Sequence, residues 1–179
     1  LFRSHPHAIG DAWQKPLAKM RQYLSELGEA GLPSDATCLA ALGPKMLELA
    51  RDRTAGVHPY LVTPEHTALA REALGPDRFV APEQGVVLEA DPVRARELAR
   101  KALAQYQSYP NYINSWKRMG FSDEDIENGS DRLIDVLFAW GPMQRIEERV
   151  NAHFAAGADH VCVQVVTGGG LDIAVARPQ

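Results

Sequence analysis

The stretch TCLAALGPKMLELARDRTAGVHPYLVTPEHT, residues 37–67, decides the fold. It contains two apolar runs, residues 37–42 and 57–62, and each ends in a turn followed by a proline and a helix-like segment. Proline suits the first helical position because the N–H there lacks an intrahelical partner and the ring already holds a helical φ. Runs this apolar are typical of strands covered on both faces, which indicates a parallel sheet. The stretch therefore predicts two consecutive βα units.

The same signals recur along the rest of the chain. Residues 85–88 and 160–166 are further strand candidates, and the pairs Asp91-Pro92 and Gly141-Pro142 are further helix starts. From about Pro92 to Ala156 the sequence predicts a long helical stretch, with helical stripes at 93–106 and 146–154 and an acidic helix start at Ser122. The alternation favours either a (β/α) barrel or an open doubly wound sheet. Four strands do not close an eight-stranded barrel of roughly 250 residues, so we expect a single, partial domain over residues 1–179.

Composition excludes several classes of protein. The chain has 179 residues, 45% hydrophobic and 23% charged, which is ordinary for a globular domain. A net charge of -4 argues against nucleic acid or an anionic membrane as the main partner, and no apolar run approaches the roughly 20 residues of a bilayer span. Cys38 and Cys162 lie in apolar runs without metal-site spacing, so we expect reduced, buried thiols and a cytoplasmic protein.

The best local candidate for a binding site is the corner formed by residues Ala41, Leu42, Gly43, Pro44 and Lys45. A strand candidate ends there, and a glycine allows a ligand to approach the backbone closely. The first turn of the next helix presents N–H groups and the positive end of its dipole, and Lys45 adds a cation. These features suit a phosphate group. The alternative is a tight helix start with a solvated lysine.

Four ordered segments resemble the luciferase-like monooxygenase superfamily, in particular its deazaflavin (F420)-dependent oxidoreductase branch. The first is LAALGPKMLELA, residues 39–50, followed by TAGVH at 54–58; the others are PLAKMRQYL at 16–24, YLVTPEHT at 60–67 and GADHVCVQV at 157–165. No single motif is diagnostic, and the resemblance rests on the ordered set up to Val166.

The resemblance implies an α/β fold of the (β/α)8 TIM-barrel type, of which this chain supplies roughly the C-terminal half. It implies an oxidoreductase that transfers a hydride between a deazaflavin, coenzyme F420, and a small organic substrate. FMN is the alternative cofactor, since no residue here distinguishes the two. The resemblance also implies that the corner residues Ala41 to Lys45, together with His58, bind this cofactor. The tail, residues 168–179, departs from the final helix of the family.

Two histidines are weak catalytic candidates. His58 follows a strand candidate and could handle a proton near the flavin, or could simply bond to neighbouring backbone. His5 follows Ser4, as in a Ser-His loop of the resembled family, and could meet the phosphate or the substrate, or lie in a frayed terminus. His66 and His153 have helical settings with polar neighbours, and we expect them at the surface. No ligand spacing supports a metal site, so none is predicted.

Other segments leave alternatives open. Thr63 is expected to cap a helix first and to neighbour the cofactor second. The ring-rich segment Tyr106–Trp116 could line a substrate pocket, but we favour helix packing or a dimer contact. A half-barrel exposes strand edges and apolar faces, which predicts a homodimer or a partner chain.

Two rival functions remain at this stage. One is a truncated, non-catalytic barrel remnant that acts as a cofactor-binding or structural protein. The other is a different (β/α) enzyme, such as an aldolase or isomerase that binds a phosphate. A Schiff-base lysine in a strand would favour the aldolase, but the five lysines all lie in helix-like segments.

Overall fold

A computed structural model of the chain describes residues 15–167. The elements follow in the order α1 (Pro16–Glu29), a short 3-10 turn (Ser34–Ala36), β1 (Cys38–Leu39), α2 (Pro44–Arg53), β2 (Gly56–Val57), α3 (Pro64–Leu74), β3 (Phe79–Val80), β4 (Glu83–Val87), α4 (Pro92–Ala104), α5 (Pro110–Arg118), α6 (Asp123–Asn128), α7 (Asp131–Leu137), β5 (Phe138–Trp140), α8 (Met143–Ala155) and β6 (Cys162–Val165). None of these helices is long and apolar enough to cross a membrane.

The strands form two three-stranded sheets, in the orders β1-β2-β3 and β5-β4-β6, and every pairing is parallel. The extended segment 79–87 joins the two sheets. Along one edge it bonds first to β2, through Ala81 N to Val57 O at 2.9 Å, and then to β5. Along the other edge Cys162 N donates to Pro82 O at 2.9 Å, which brings in β6. The predicted parallel sheet is confirmed.

The two faces of the sheet are covered differently. On the outer face, Leu39, Val57 and Val80 pack against α1, α2 and α3, while Val86 and Ala139 pack against Ile146 of α8. Because successive side chains of a strand point to opposite faces, the neighbours of these residues define the inner face. Helices α4 to α7 cover its carboxyl-terminal part, where Tyr60, Val87 and Trp140 lie.

Several predicted boundaries were wrong. The runs 37–42 and 57–62 form strands only at 38–39 and 56–57, and Pro59 ends regular pairing of the second. The long helical stretch from Pro92 to Ala156 contains five helices and the strand β5, and β3 precedes β4 almost directly. Pro44, Pro64 and Pro92 occupy the first helical turn as predicted, whereas Pro142 is the residue before α8 rather than its first member.

The cysteine prediction was partly wrong. Neither thiol is in a disulfide, but Cys38 is exposed and Cys162 is half-buried. In β1, Leu39 points to the helices of the outer face, so Cys38 points to the opposite face.

Candidate functional site

The corner, residues 41–45, lies where β1 ends and α2 begins. Gly43 is the N-terminal capping residue of α2, with its carbonyl oxygen accepting bonds from the N–H groups of Met46 and Leu47, both at 3.0 Å. Pro44 has no N–H, and the N–H groups of Gly43 and Lys45 donate to no acceptor within residues 15–167. These two donors are therefore available to a ligand at the positive end of the helix dipole.

Two side chains hold the Leu42 carbonyl oxygen in this corner. His66 Nε2 donates to it at 3.0 Å and Arg118 Nη2 at 3.2 Å. In a trans peptide the C=O and the following N–H point in opposite directions, so the Gly43 N–H points away from His66 and Arg118. The two side chains thereby fix the direction of this donor.

The corner also carries two cations without a carboxylate partner among the described residues. The Lys45 side chain is exposed. A Cβ added to Gly43 would lie 3.5 Å from Arg118 Nη2, so this guanidinium lies directly beside the glycine. The φ of Gly43 is −108°, which any residue adopts, so the backbone itself does not require glycine here. The arrangement of donors and cations suits an anion.

His66 was wrongly expected at the surface. It is 6% exposed, because α3 packs against α2 and turns the ring towards Leu42. A carbonyl only accepts, so Nε2 carries the proton, and Nδ1 is a buried acceptor that finds no hydrogen-bond partner among residues 15–167. Burial lowers the pKa of His66, the bond to Leu42 O opposes this, and the charge of Arg118 lowers it further.

His153 was also wrongly placed at the surface, and it is completely buried. Its Nδ1 lies 2.8 Å from Thr67 Oγ1 and its Nε2 lies 3.0 Å from Gln84 Oε1. The Gln84 amide nitrogen donates to Gly85 O and Leu137 O, so Oε1 accepts and His153 Nε2 is the donor. This buried network joins α3, α8 and β4, and it explains why a polar residue occupies the outer face of the sheet.

His58 lies directly after β2, on the inner face. Its Nδ1 is 2.7 Å from Ala81 O, and its Nε2 is 3.4 Å from Glu83 Oε2. The sequence prediction offered a proton-handling role or a bond to backbone. The structure shows the backbone bond and, in addition, a carboxylate partner.

Thr63 caps α3 as predicted, with its hydroxyl accepting from His66 N at 3.4 Å. The ring-rich segment packs internally, because Tyr106 and Trp116 are fully buried in the cluster around α4 to α7. Trp116 Nε1 also donates to Leu61 O at 3.2 Å, at a residue whose φ is +54°. The favoured packing interpretation agrees with this burial.

Two predictions lie partly or wholly outside the described residues. His5 and the tail 168–179 fall beyond them. Within residues 15–167, no group of three or more His, Cys, Asp or Glu side chains is placed to hold a metal ion.

A cleft of about 250 Å³ lies away from the corner, between α7, β5 and α8. Arg149 lines it, and its guanidinium donates to the carbonyl oxygens of Asp135 and Val136 at the end of α7. These bonds satisfy helix-end carbonyls, which is a structural role.

Sequence reasoning missed three residues of this region: Arg118, His66 and Glu83. Arg118 comes from a helix 75 positions after Gly43, as the numbering shows, and no local pattern links the two. Glu83 did leave a signal, because it is the one acidic residue within the apolar run VAPEQGVV, residues 80–87.

No protein-family model matches the sequence, and no curated protein matches it. Solved structures do match. One is an F420-dependent secondary alcohol dehydrogenase in complex with an F420–acetone adduct, with a TM-score of 0.51 and 17% identity, covering 74% of this chain and 43% of that one. Another is a coenzyme F420-dependent tetrahydromethanopterin reductase from Methanopyrus kandleri, with a TM-score of 0.55 and 19% identity, covering 74% and 45%.

This chain therefore spans less than half the length of either matched structure. The mixed α/β arrangement with parallel sheets agrees with their TIM-barrel-like architecture. At the level of fold, the chain is similar over about three quarters of its length to F420-dependent enzymes of the luciferase-like type.

Proposed function

We propose that this chain is the C-terminal part of a luciferase-like barrel and contributes the cofactor-phosphate site of an F420-dependent oxidoreductase. The observation that carries the proposal is the corner at the carboxyl end of a parallel strand, where the N–H donors of Gly43 and Lys45 lie beside a lysine that pairs with no carboxylate within residues 15–167. Ligand sites of this architecture lie at that end of the strands. The fold likeness to two F420-dependent proteins supports F420 over FMN.

The residues of the corner have distinct tasks in this proposal. The N–H groups of Gly43 and Lys45 bind phosphate oxygens, and the ammonium of Lys45 neutralises their charge. His66 and Arg118 keep the Leu42 carbonyl turned away, so that the Gly43 N–H faces the ligand. When bound, the deazaflavin supplies hydride transfer to or from a small organic substrate; the protein orients it and excludes water.

Equilibrium dialysis with oxidised F420, and separately with FMN, tests the proposal. We expect the chain to retain F420, and we expect the K45Q variant to lose about tenfold in affinity because it removes a charge-assisted bond. The R118Q variant should also bind more weakly, because it removes one of the two bonds that hold the Leu42 carbonyl in place. The K101Q variant is the matched control, since Lys101 is exposed on α4, away from the corner. Retention of neither cofactor, or an equal loss in the K101Q variant, would contradict the proposal.

A second candidate function is a non-catalytic remnant that binds the cofactor without turnover. The observation that favours this candidate is that the chain covers less than half of each matched structure. Retention of F420 without any change in its absorbance when small alcohols are added would support this candidate over the oxidoreductase.

A further inference from the structure

His58 and Glu83 form a pair on the inner face of the sheet. Val57 packs on the outer face against α2 and α3, and Gln84 bonds to His153 of α8 on the same outer side. Their sequence neighbours His58 and Glu83 therefore point to the inner face. The backbone registers support this placement, because Tyr60 and Glu83 form a parallel bridge between the two segments.

Both ring nitrogens of His58 face protein atoms. Nδ1 lies 2.7 Å from Ala81 O, and since a carbonyl only accepts, Nδ1 carries a proton. Nε2 lies 3.4 Å from Glu83 Oε2. The ring would have to give up one of these contacts before it touched a ligand, which argues against His58 as the residue that meets the cofactor.

The contacts of His58 hold the carboxylate of Glu83 in place. Glu83 is 6% exposed, and a buried carboxylate needs a compensating partner. His58 supplies that partner as an imidazolium, with the Nδ1 proton on Ala81 O and the Nε2 proton facing Glu83 Oε2. Such a fixed carboxylate is a strong acceptor for an N–H group, since bonds to an ionised acceptor are about twice as strong as neutral ones.

The pair lies close to the corner. The His58 N–H donates to Leu39 O at 2.8 Å, and Leu42 is three residues further along the same chain segment. From the spacing between strands and the rise along a strand, the backbones of His58 and Leu42 lie about 10 Å apart. A cofactor with its phosphate at the corner therefore has the inner face beside Glu83 within reach of its ring system.

We propose that Glu83 accepts a hydrogen bond from a ring N–H group of the bound deazaflavin, and that His58 is a positioning residue that holds Glu83 Oε2 in place. The inference rests on the proposed function. It assigns a ligand-binding carboxylate to the inner face, and it gives His58 a positioning role in place of direct contact with the cofactor.

Nuclear magnetic resonance tests the pair without any cofactor. We expect the ¹⁵N signals of the His58 ring to show protons on both Nδ1 and Nε2 in the wild type, and the Nε2 signal to shift in the E83Q variant. The E89Q variant is the matched control, because Glu89 pairs with Arg94 outside the sheet. A His58 ring whose signals are the same in wild type and E83Q would overturn the pairing.

Dialysis against oxidised F420 tests the role in binding. The E83Q variant should bind about tenfold more weakly, because the amide loses the charge-assisted bond but keeps the shape of the side chain. The H58A variant should lose as much, while H58Q should stay within about threefold of the wild type, since its amide N–H can still donate to Glu83 Oε2. Unchanged circular dichroism spectra confirm that the variants are folded.

The outcomes separate the two proposals. Equal retention of F420 by the wild type and E83Q overturns this inference alone. No retention by the wild type overturns the proposed function and this inference with it. Equal losses in H58A and H58Q would contradict the positioning role of His58.

Discussion

Two glycines mark positions where the sheet leaves no room for a side chain. A Cβ on Gly56 would lie 1.9 Å from Phe79 O, a backbone atom that the pairing of β2 with β3 holds in place. A Cβ on Gly85 would lie 2.7 Å from Phe138 Cδ1, a ring that can shift slightly. At the residue scale, then, the contact between neighbouring strands sets the identity of these residues.

We expect G56A to prevent stable folding and G85A to lower the free energy of unfolding by about 1–3 kcal/mol, as overpacking does. Urea denaturation followed by circular dichroism measures both. The G28A variant is the control: a Cβ there would meet no described atom within 4 Å apart from its chain neighbours and the backbone of its own helix, α1, so the variant should gain up to about 1 kcal/mol. A G56A protein as stable as the wild type would contradict the close packing of β2 and β3.

His153 makes the stability of the protein depend on pH. Burial, and next the charge of Arg149, lower the pKa of His153 to about 4. The ordinary pKa of a histidine is 6.5, so between pH 6.5 and about 4 the unfolded chain binds a proton at His153 that the folded chain does not bind. Stability is therefore complete above pH 6.5 and falls as the pH decreases towards 4, by on the order of 3 kcal/mol in all.

Denaturation midpoints measured from pH 7.5 to 4.5 test this dependence. The H153Q variant should be less stable at pH 7.5 but should show a flatter slope, because it has no titrating group at this position. The H160Q variant, at an exposed histidine, should keep the wild-type slope. Parallel slopes in wild type and H153Q would show that His153 does not titrate as expected.

At the scale of elements, Arg71 connects α3 to the segment before β6. Its Nη1 donates to Gly75 O and Arg78 O, both at 2.7 Å, and its Nε donates to Gly157 O at 2.9 Å. Its Nη2 pairs with Asp159 at 2.5 Å, and the same carboxylate accepts from Val80 N. One planar guanidinium thus joins the end of α3, the start of β3 and the approach to β6.

We expect the R71K variant to lose about 2–3 kcal/mol of unfolding free energy, because a single ammonium does not reach four separate acceptors. Thermal denaturation measures the loss. The R51K variant is the matched control, since Arg51 pairs with its exposed neighbour Asp52 and should change by less than about 0.5 kcal/mol. Similar losses in both variants would mean that the carbonyl bonds of Arg71 contribute little.

The element scale also shows what the sequence could predict. Helix starts were predictable, because Pro44, Thr63 and Asp91 carry local signals that depend on few neighbours. The strand β5 was missed because Phe138 follows Leu137 of α7 without any glycine or proline between them. Three apolar residues after a helix do not by themselves predict a strand. They form one because they pair with residues 85–87, which the sequence does not show.

The candidate site was predictable only where it is local. Gly43, Pro44 and Lys45 follow one another, so their corner could be found in the sequence. The partners of that corner, His66 and Arg118, come from other helices, and the His58–Glu83 pair needs the register of two strands. These contacts depend on packing between residues far apart in sequence, so they could not be predicted from local sequence patterns.

At the scale of the whole molecule, association remains a prediction. Within residues 15–167, β1 pairs only with β2, and β6 pairs only with β4. Val163 on β6 is 48% exposed. Exposed apolar surface on a sheet favours contact with a further chain. We expect a homodimer or a partner chain in sedimentation velocity experiments; a single monomeric species at micromolar concentration would contradict this expectation.

The segment 79–87 has a consequence for how the molecule opens. It is hydrogen-bonded along both edges, to β2 and then β5 on one side and to β6 on the other. Each N–H of the segment faces one side only, as those of Ala81 and Glu83 face the β2 side, so fraying at one edge exposes only part of its amides. The segment has eight amides, because Pro82 has none, and the full set exchanges only when both neighbours separate. We expect these amides as a set to be among the last to exchange.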